Sequence, residues 1–431
     1  MRIVVRAADA RVAREAQALL DAAGLAAAAL AGPYRAAPDG EDISIIPQHG
    51  AGAGALAASV AAVANKPLAQ LAGYVGVGLA AQLTETNSYS GAVWLDASPV
   101  LLRAQLDAWI RLAIAEEESA RRSATAAALG VASPTLAPER KLAALYIGAP
   151  SSMFLALERA FAEQGGSLEA AFSSYAGFDR LHDEPFDAVV LNGVHDTTTA
   201  LSLCGALRRN ATLHNLPTLM LAKPGDAATA DVAVERGACA ISISHLPSFG
   251  DLGWLFEAIR RERRRSSAEH QMRALRDLMG DARTGLWRRG PFETHLARMA
   301  ADHHASGRPM SVVALRVTPA IGAREPSPEV WRKGFAEIAS LAARLMREAD
   351  CGAAFGPDVI ALALPAARLQ DAKRTAERIA SVAECTAFAS GDGGAGPLIF
   401  EQSVVEMQPG ESGAAMLARA LLAIEVEAVP A

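Results

Sequence analysis

The sequence predicts a multidomain protein with two α/β units built on doubly wound parallel sheets, followed by a third unit of α+β type. Three observations favour this fold class. The 431 residues exceed the usual size of one domain and, at roughly 150 residues per domain, suggest about three. Short β-like runs alternate with amphipathic helices over the first two thirds of the chain, which is typical of a parallel sheet covered on both faces. The composition, 51% hydrophobic and 20% charged, is that of a globular protein.

Charge and cysteine content exclude several classes of function. The net charge of −6 disfavours direct DNA binding, which normally needs a basic surface. The four cysteines are scattered without a C-x-x-C pair, so neither a zinc site nor a disulfide framework is indicated. The first residues lack the apolar core of a signal peptide, and later apolar stretches are too short or interrupted to span a membrane. We therefore expect a cytoplasmic protein with no membrane span, no metal and no cofactor.

Residues 1–118 form the first predicted unit, and residues 119–140 are predicted to be a helix tail and a linker. The alternation of elements in the unit indicates strands that lie parallel and helices that connect them. The predicted strands are Arg2–Val5, Asp42–Ile46 and Ala92–Leu95, and the predicted helices are Val12–Ala23, Gly54–Ala64 and Leu101–Ala115.

Residues 141–266 repeat the alternation more regularly. Five predicted strands interleaved with helices favour a flavodoxin-like doubly wound unit. The first two units therefore resemble diverged copies of one fold. The predicted strands are Leu142–Ile147, Leu168–Phe172, Phe186–Leu191, Pro217–Leu221 and Ala238–Ile243, and the predicted helices are Met153–Glu163, Ala200–Arg208 and Thr229–Arg236.

A helical period runs from Phe249 to Met279 and connects the second unit to the third, residues 267–431. Its basic run, Arg260–Arg265, is interrupted by Glu262 and lacks interleaved aromatic residues, which indicates a solvated helix face and not a nucleic-acid patch. The third unit mixes strands and helices in an α+β pattern. Its predicted strands are Met310–Val317 and Val359–Leu364, and its predicted helices are Pro291–His303, Val330–Arg347 and Gln370–Val382.

Three segments of the third unit resemble the GGDEF family of diguanylate cyclases. Asp281–Phe292 resembles the family's D-x-L-T-G-L-x-N-R-R-x-F opening, and Asp371–Ile379 resembles its A-x-x-x-A-E-R-I-R helix. Between them, Arg347–Pro365 resembles the R-x-x-D-x-x-x-R-Y-G-G-D-E-F block, with the signature changed to Gly356, Pro357, Asp358, Val359 and Ile360. The resemblance implies that residues 267–431 are a GGDEF domain with its connecting helix. It also implies that the two upstream units are receiver domains.

The resemblance implies a degenerate cyclase site. Joining two GTP molecules needs divalent metal held by carboxylates, and one of these carboxylates ends the first strand of the domain in the family. Arg316 stands at that position here. Pro357 replaces a signature glycine, which fixes φ and removes an N–H where the backbone approaches phosphates. The stretch 319–328 lacks the family's guanine-holding pattern, so we expect a protein that is not an enzyme and has no catalytic residues.

The resemblance also implies an inhibitory site, or I-site, that binds cyclic di-GMP. In the family this site is an R-x-x-D five residues before the signature, which Arg347 and Asp350 match, and Arg378 matches its third member. A guanidinium can fork onto a phosphate or onto guanine O6 and N7, and a carboxylate accepts from guanine N1–H and N2–H. The alternative is a surface ion pair at a helix end, which contributes under about 1 kcal/mol. The spacing inside the GGDEF frame favours the ligand site.

The receiver resemblance implies that neither upstream unit accepts phosphate. Phosphoryl transfer to a receiver needs an aspartate at the end of the third strand, where Pro47 and Asn192 stand in the two units. The acidic metal ligands and the lysine of the family are also replaced, by Arg6, Ala7 and Ser98 in the first unit and by Gly148, Ala149 and Ser244 in the second.

The non-catalytic members with this layout imply a cyclic di-GMP effector that acts as an adaptor. By that resemblance we expect a homodimer whose partners are the adaptor RcdA, the regulator CtrA and the ClpXP protease pathway, in cell-cycle-regulated proteolysis. Recruitment to the cell pole is part of the same expectation. Two alternatives remain open: an active or GTP-binding diguanylate cyclase with an altered metal site, and a scaffold with a vestigial I-site.

Two further motifs are interpreted as structural. Gly50, Gly52 and Gly54 follow a strand but lack the full G-x-G-x-x-G spacing, so a tight turn is favoured over a phosphate loop. His303 and His304 beside Asp302 have no other ligand-spaced residues nearby, which favours a solvated turn over a metal site.

Overall fold

The computed structural model describes residues 2–37, 40–49, 52–62, 67–76, 88–135, 140–243, 249–320, 322, 326–386, 388–389 and 397–427. Within these ranges, fourteen strands form three sheets, accompanied by twelve helices. The chain divides into two compact units. The first comprises residues 1–113 and 137–266, and the second comprises residues 114–136 and 267–431. No helix in the described ranges is both long enough and apolar enough to cross a membrane.

The first sheet belongs to the first unit and is entirely parallel. Its elements are β1 (Ile3–Ala7), α1 (Ala10–Ala22), β2 (Ala27–Ala31), β3 (Ile43–Pro47), α2 (Ala53–Ala61), β4 (Ala69–Tyr74), β5 (Gly91–Trp94) and α3 (Pro99–Ala128). The strands lie in the order β2-β1-β3-β4-β5, which is the flavodoxin-like order. Strands β1 and β3 are buried along their whole length, because helices cover both faces of such a sheet.

The second sheet, also in the first unit, repeats this arrangement. Its elements are β6 (Ala143–Ile147), α4 (Ser152–Glu163), β7 (Ser167–Ala171), α5 (Ser174–Asp183), β8 (Ala188–Asn192), α6 (Thr197–Arg209), β9 (Thr218–Leu221), α7 (Ala227–Glu235) and β10 (Ala240–Ser242). The parallel strands lie in the order β7-β6-β8-β9-β10. The prediction of two doubly wound, flavodoxin-like sheets is therefore confirmed.

The third sheet is antiparallel and lies in the second unit. Its elements are α8 (Phe249–Met279), α9 (Arg289–Ser306), β11 (Met310–Pro319), α10 (Pro328–Leu345), β12 (Cys351–Ala354), β13 (Val359–Pro365), α11 (Leu369–Glu384), β14 (Leu398–Glu406) and α12 (Gly413–Glu427). The order is β12-β13-β11-β14. Central strand β11 packs Val312 and Ala314 into one core, and Val313 and Leu315 into the core on the other face, as the two-residue period of a strand requires. The α+β prediction is confirmed.

Helix α3 extends through the first part of the predicted linker. It has 30 residues and ends at Ala128, within the stretch 119–140 that was predicted to be a helix tail and a linker. Residues 114–136 belong to the second unit. The helix continues because its side chains between Glu118 and Thr125 find buried partners there.

The basic run on α8 is only in part the solvated face that the sequence predicted, since Arg260 and Arg264 are exposed. Arg263 donates from Nε and Nη2 to the Asp187 carboxylate, each over 2.9 Å. Arg264 donates to the Ser90 carbonyl over 2.7 Å. Arg261 and Arg263 are half-buried, so the solvated-face interpretation is wrong for them. The physical reason is that this part of α8 packs within the first unit, where the Asp187 carboxylate and the Ser90 carbonyl are partners for Arg263 and Arg264.

Candidate functional site

A short turn after α10 brings Arg347 and Asp350 together. Helix α10 ends at Leu345, and Met346 is extended, with ψ of 154°, so Arg347 lies beyond the helix predicted at Val330–Arg347. The Arg347 N–H donates to Asp350 Oδ2 over 2.8 Å. The Asp350 N–H donates to the Arg347 carbonyl over 3.0 Å. These reciprocal hydrogen bonds close a four-residue turn.

The two side chains of the turn have opposite environments. Arg347 is exposed, and its guanidinium makes no hydrogen bond or ion pair with any residue that the structure describes. Asp350 is only 7% exposed. Burial raises the pKa of Asp350 to about 6, against the opposing effects of the Arg347 N–H and the Arg347 charge. The pair is therefore not the exposed surface ion pair of the alternative interpretation.

A cavity of about 490 Å³ lies beside this turn. Arg347 and Asp350 both line it, together with Arg122, Arg276 and Arg344. Four arginines around one cavity suit an anionic ligand. The sequence did not predict the last three arginines, because α3, α8 and α10 contribute one each and no local motif connects them.

Arg122 is buried on the interior side of the turn and binds its backbone carbonyls. Its Nη2 donates to the carbonyls of Glu348 and Asp350, over 2.6 and 3.0 Å. Its Nη1 donates to the Met272 carbonyl over 3.2 Å. The residue is 1% exposed, so the backbone of the turn is fixed by a buried cation.

A buried carboxylate keeps Arg122 in place. Glu118 Oε1 lies 2.8 Å from Arg122 Nε and 2.9 Å from His295 Nε2. Glu118 Oε2 lies 2.5 Å from Arg121 Nη1, and Arg121 Nε lies 2.8 Å from Asp302. Burial opposes ionisation of Glu118, but the charges of His295, Arg122 and Arg121 outweigh it and lower the pKa of Glu118 to about 2. An ionised Glu118 thus supports the cation behind the turn.

The Arg378 side chain lies beside the turn, at the C-terminal end of α10. It is an exposed residue of α11, and its Nη2 donates to the Leu345 carbonyl over 2.9 Å. A cation at a helix C-terminus is favourable, because it pairs with carbonyls that have no partner inside the helix. The structure thus brings Arg378 near Arg347 but does not include it in the wall of the cavity.

The residues that resemble the family signature, Gly356–Ile360, lie at the tip of the hairpin between β12 and β13. Gly356 has φ of +143°, a conformation that side chains other than glycine rarely adopt. The Pro357 carbonyl accepts a hydrogen bond from Trp331 Nε1 over 2.9 Å. Pro357 itself contributes no N–H to this tip, so the loop has fewer donors for a phosphate than one with glycine there.

Arg316 occupies the expected metal position with a cation. It pairs with Val359 in the register of β11 and β13, and the next residue, Ile360, is buried. Arg316 Nε lies 3.2 Å from Asp358 Oδ2, and its Nη1 lies 3.9 Å from Glu401 Oε2. The surviving acidic residue of the signature therefore pairs with arginine. In the described part of the chain, no three His, Cys, Asp or Glu side chains cluster as a metal site.

The two expected phosphoacceptor positions lie at matching places in the parallel sheets. Pro47 is the last residue of β3 and Asn192 the last residue of β8. Asn192 Nδ2 donates to Tyr146 Oη over 2.6 Å and to the Ala149 carbonyl over 3.0 Å. Neither residue carries a carboxylate. Ser244, predicted to replace the second lysine, lies outside the described residues, as does Gly50 of the glycine motif.

His303 does not lie in the predicted solvated turn. Helix α9 continues to Ser306, which puts His303 on its buried face, 1% exposed. Its Nδ1 lies 2.9 Å from the Met299 carbonyl, and its Nε2 accepts from the Ala366 N–H over 3.3 Å. Burial lowers the pKa of His303 to about 4, so the neutral ring serves as a core hydrogen-bonding group.

Comparisons with solved structures return distant similarities. The chain is similar to the GGDEF domain of DgcB from Caulobacter crescentus in complex with c-di-GMP, at 19% identity over 35% of this chain and 86% of that chain, with a TM-score of 0.28. It is similar to the FimX GGDEF domain from Pseudomonas aeruginosa, at 15% identity over 34% and 92%, with a TM-score of 0.29. It is also similar to a candidate response regulator from Chloroflexus aurantiacus, at 17% identity over 30% and 99%, with a TM-score of 0.25.

No protein-family model matches the chain, and no curated protein matches it. The fold therefore rests on the strand orders given above, and the function rests on the geometry of the site.

Proposed function

We propose that the chain is a non-catalytic cyclic di-GMP effector of the receiver–receiver–GGDEF type. One observation carries the proposal. An exposed guanidinium without a partner among the described residues, Arg347, and a buried carboxyl, Asp350, lie together in the wall of a cavity of about 490 Å³. Cyclic di-GMP offers two phosphates and two guanines, and these are the groups that an arginine and a carboxylate recognise.

Each group of the turn has a specific task in this proposal. Asp350 Oδ2 accepts from the Arg347 N–H, whereas Oδ1 receives no hydrogen bond from the residues described. Oδ1 can therefore accept from guanine N1–H or N2–H. The Arg347 guanidinium donates a bidentate pair of hydrogen bonds to a phosphate or to guanine O6 and N7. Arg276 and Arg344, in the same wall, provide positive charge for the second phosphate.

The hairpin tip supports the non-catalytic part of the proposal. Arg316 lies 3.2 Å from Asp358, so a divalent metal at this carboxylate would have to displace a guanidinium. Pro357 cannot donate an N–H to a phosphate. The same two features argue against the alternative of an active or GTP-binding cyclase with an altered metal site.

Calorimetry of the full chain with cyclic di-GMP and with GTP plus Mg²⁺ tests the proposal. The native protein should bind cyclic di-GMP and not GTP. Arg347→Ala should weaken binding about tenfold or more, because a charge-assisted hydrogen bond contributes about 1.5–3 kcal/mol. Arg374→Ala, a change at a residue of α11 that is 79% exposed, is the matched control and should bind like the native protein.

Three outcomes would contradict the proposal in different ways. Native-like binding by Arg347→Ala would place the ligand elsewhere. Absence of any binding would favour the scaffold with a vestigial I-site. GTP binding with product formation would favour the cyclase.

The proposed cellular role follows a closer resemblance within the family. The layout, the changed signature and the R-x-x-D resemble those of PopA, the non-catalytic paralogue of the cyclase PleD. We propose the same kind of role, that of a homodimeric adaptor for RcdA, CtrA and the ClpXP pathway at the cell pole, which rests on analogy. Pro47 and Asn192 support it, because signalling in such a protein cannot depend on phosphorylation of those positions.

Light scattering of the full chain tests the dimer, and co-purification with RcdA and CtrA tests the adaptor role. Cyclic di-GMP should increase recovery of the partners by the native protein but not by Arg347→Ala. Equal recovery by both proteins would show that the ligand does not gate the adaptor.

A further inference from the structure

A second arginine-lined cavity lies in the first unit, apart from the site described above. Its volume is about 170 Å³, which corresponds to roughly five or six waters at ~30 Å³ each. Helices α3 and α8 contribute most of its wall, together with residues of α6 and α7 and of the loops before β9 and β10. Its charged and polar side chains are Gln105, Arg111, Arg208, Asn215, Arg261, Glu262 and Arg265.

Arg261 is the unusual member of this wall. It is half-buried, and its guanidinium carbon lies 5.4 Å from the ring centroid of Trp109. It makes no hydrogen bond or ion pair with any residue in the described part of the chain. Burial lowers the pKa of Arg261, which reflects the unfavourable transfer of an unpaired cation out of water. Desolvated cations in proteins are normally paired with an anion.

The acidic residues near Arg261 pair with other arginines. Glu262 accepts from Arg265 Nε over 2.9 Å, and Glu257 lies 2.6 Å from Arg260. Their charges favour the ionised form of Arg261 but do not outweigh its burial, and neither carboxylate forms an ion pair with it.

The thiol in the wall does not supply a negative charge either. Cys239 donates to the Thr218 carbonyl over 3.4 Å, and burial raises the pKa of its thiol. Cys239 therefore stays neutral at physiological pH.

A second cation faces the same space. Arg111 is exposed and has no hydrogen bond or ion pair to a described residue. Its charge is close enough to Arg261 to lower the pKa of Arg261 further. Two like charges that face the same cavity repel each other. An anion bound between them would replace this repulsion with attraction to both charges.

We propose that this cavity binds a compact phosphate-type dianion, with Arg111 and Arg261 as its charged ligands. A guanidinium presents a planar fork of N–H donors that matches phosphate oxygens. The volume admits inorganic phosphate or the phosphate end of a small phosphoester, and a dinucleotide is too large for it. An anion bound there would act on the first unit without covalent modification, in a cavity whose wall contains neither Pro47 nor Asn192.

Calorimetric titration of the full chain with inorganic phosphate tests the proposal, at ionic strength matched with chloride. Glycerol phosphate in a parallel titration distinguishes a phosphoester source from free phosphate. The native protein should bind at least one of the two saturably. Arg261→Gln and Arg111→Gln should each weaken binding about tenfold or more. Arg111 is exposed, so its variant should fold normally even if the Arg261 variant does not.

Arg159→Gln is the matched control, because it removes one arginine charge from α4 at a side chain that is 84% exposed. It should bind phosphate like the native protein. If neither probe binds, or if all variants bind equally, the proposal is overturned.

Arg347→Ala separates this site from the proposed cyclic di-GMP site. It should retain phosphate binding even though it loses cyclic di-GMP. If phosphate binding is lost in Arg347→Ala and retained in Arg261→Gln, the anion occupies the other cavity and the present inference is wrong, whereas the proposed function stands.

Discussion

Replacement of Asp350 by Asn should stabilise the second unit while it removes ligand binding. Burial raises the pKa of Asp350 from 3.8 to about 6. An upward shift of this size corresponds to about 3 kcal/mol of free energy against the ionised form in the folded state. The sign follows from proton linkage. The folded protein holds this proton more tightly than the unfolded chain, so the free energy of unfolding falls as the pH rises from about 4 to about 6.

The neutral Asn side chain does not ionise, so it does not have the free-energy cost of a buried charge. Its oxygen can still accept from the Arg347 N–H, so the turn should persist. The free energy of unfolding of Asp350→Asn should therefore increase relative to that of the native protein by about 3 kcal/mol between about pH 4 and about pH 8. Binding of cyclic di-GMP should weaken about tenfold or more, because an Asn whose oxygen accepts from the Arg347 N–H presents an NH2 donor where the guanine N–H needs an acceptor.

Native-state hydrogen exchange of the β13 amides measures this effect, because these amides report the unfolding of the second unit. Asp371→Asn, an exposed change on α11, is the control and should show no such growth with pH. A constant stability difference between Asp350→Asn and the native protein over the whole pH range would refute the reasoning. So would native-like binding of cyclic di-GMP by the variant.

Three further outcomes test the remaining claims. Arg316→Asp should yield no cyclic di-GMP from GTP and Mg²⁺ in a chromatographic assay, because Pro357 remains, and product would contradict the proposed loss of catalysis. Acetyl phosphate should add no phosphoryl group at Pro47 or Asn192, which mass spectrometry of proteolytic fragments would detect. Glu118→Gln should lower the free energy of unfolding of the second unit by about 3–5 kcal/mol, because buried Arg122 loses its counter-charge while Arg121 keeps Asp302 and Glu117. A decrease of less than about 1 kcal/mol in denaturant unfolding would show that the network is not tightly coupled.

The sequence predicted most of the parallel strands that are buried on both faces, although it missed β4, which is also buried. Strands β3 and β8 are apolar except for Ser44 and Asn192, and such runs bounded by turns identify central strands. Strand β2 was not predicted, because Ala27–Ala31 is only partly buried and consists of alanine and leucine, which favour helix. Helix α5 was also missed, since Ser174–Asp183 is short and contains only two buried residues.

The candidate site was predictable only where its residues are close in sequence. The resemblance to the GGDEF block, with its R-x-x-D spacing, predicted Arg347 and Asp350 as members of the site. It could not identify Arg122, because contact between residues so far apart in the chain depends on tertiary packing. Burial of the Asp350 carboxyl was likewise not predictable, since a polar residue at a helix end is more often exposed.

The second unit consists of two stretches that are far apart in the sequence, which affects the order in which the protein folds. Residues 114–136 are synthesised before residues 137–266, and their partners begin only at residue 267. At ~5–20 residues per second, a ribosome needs on the order of ten seconds to cover that interval. During this time Glu118 and Arg122 have neither His295 nor the carbonyl of Asp350 as partners. A recombinant fragment that begins at residue 267 would lack residues 114–136 altogether, and the affinity measured on it would describe a turn without its buried cation.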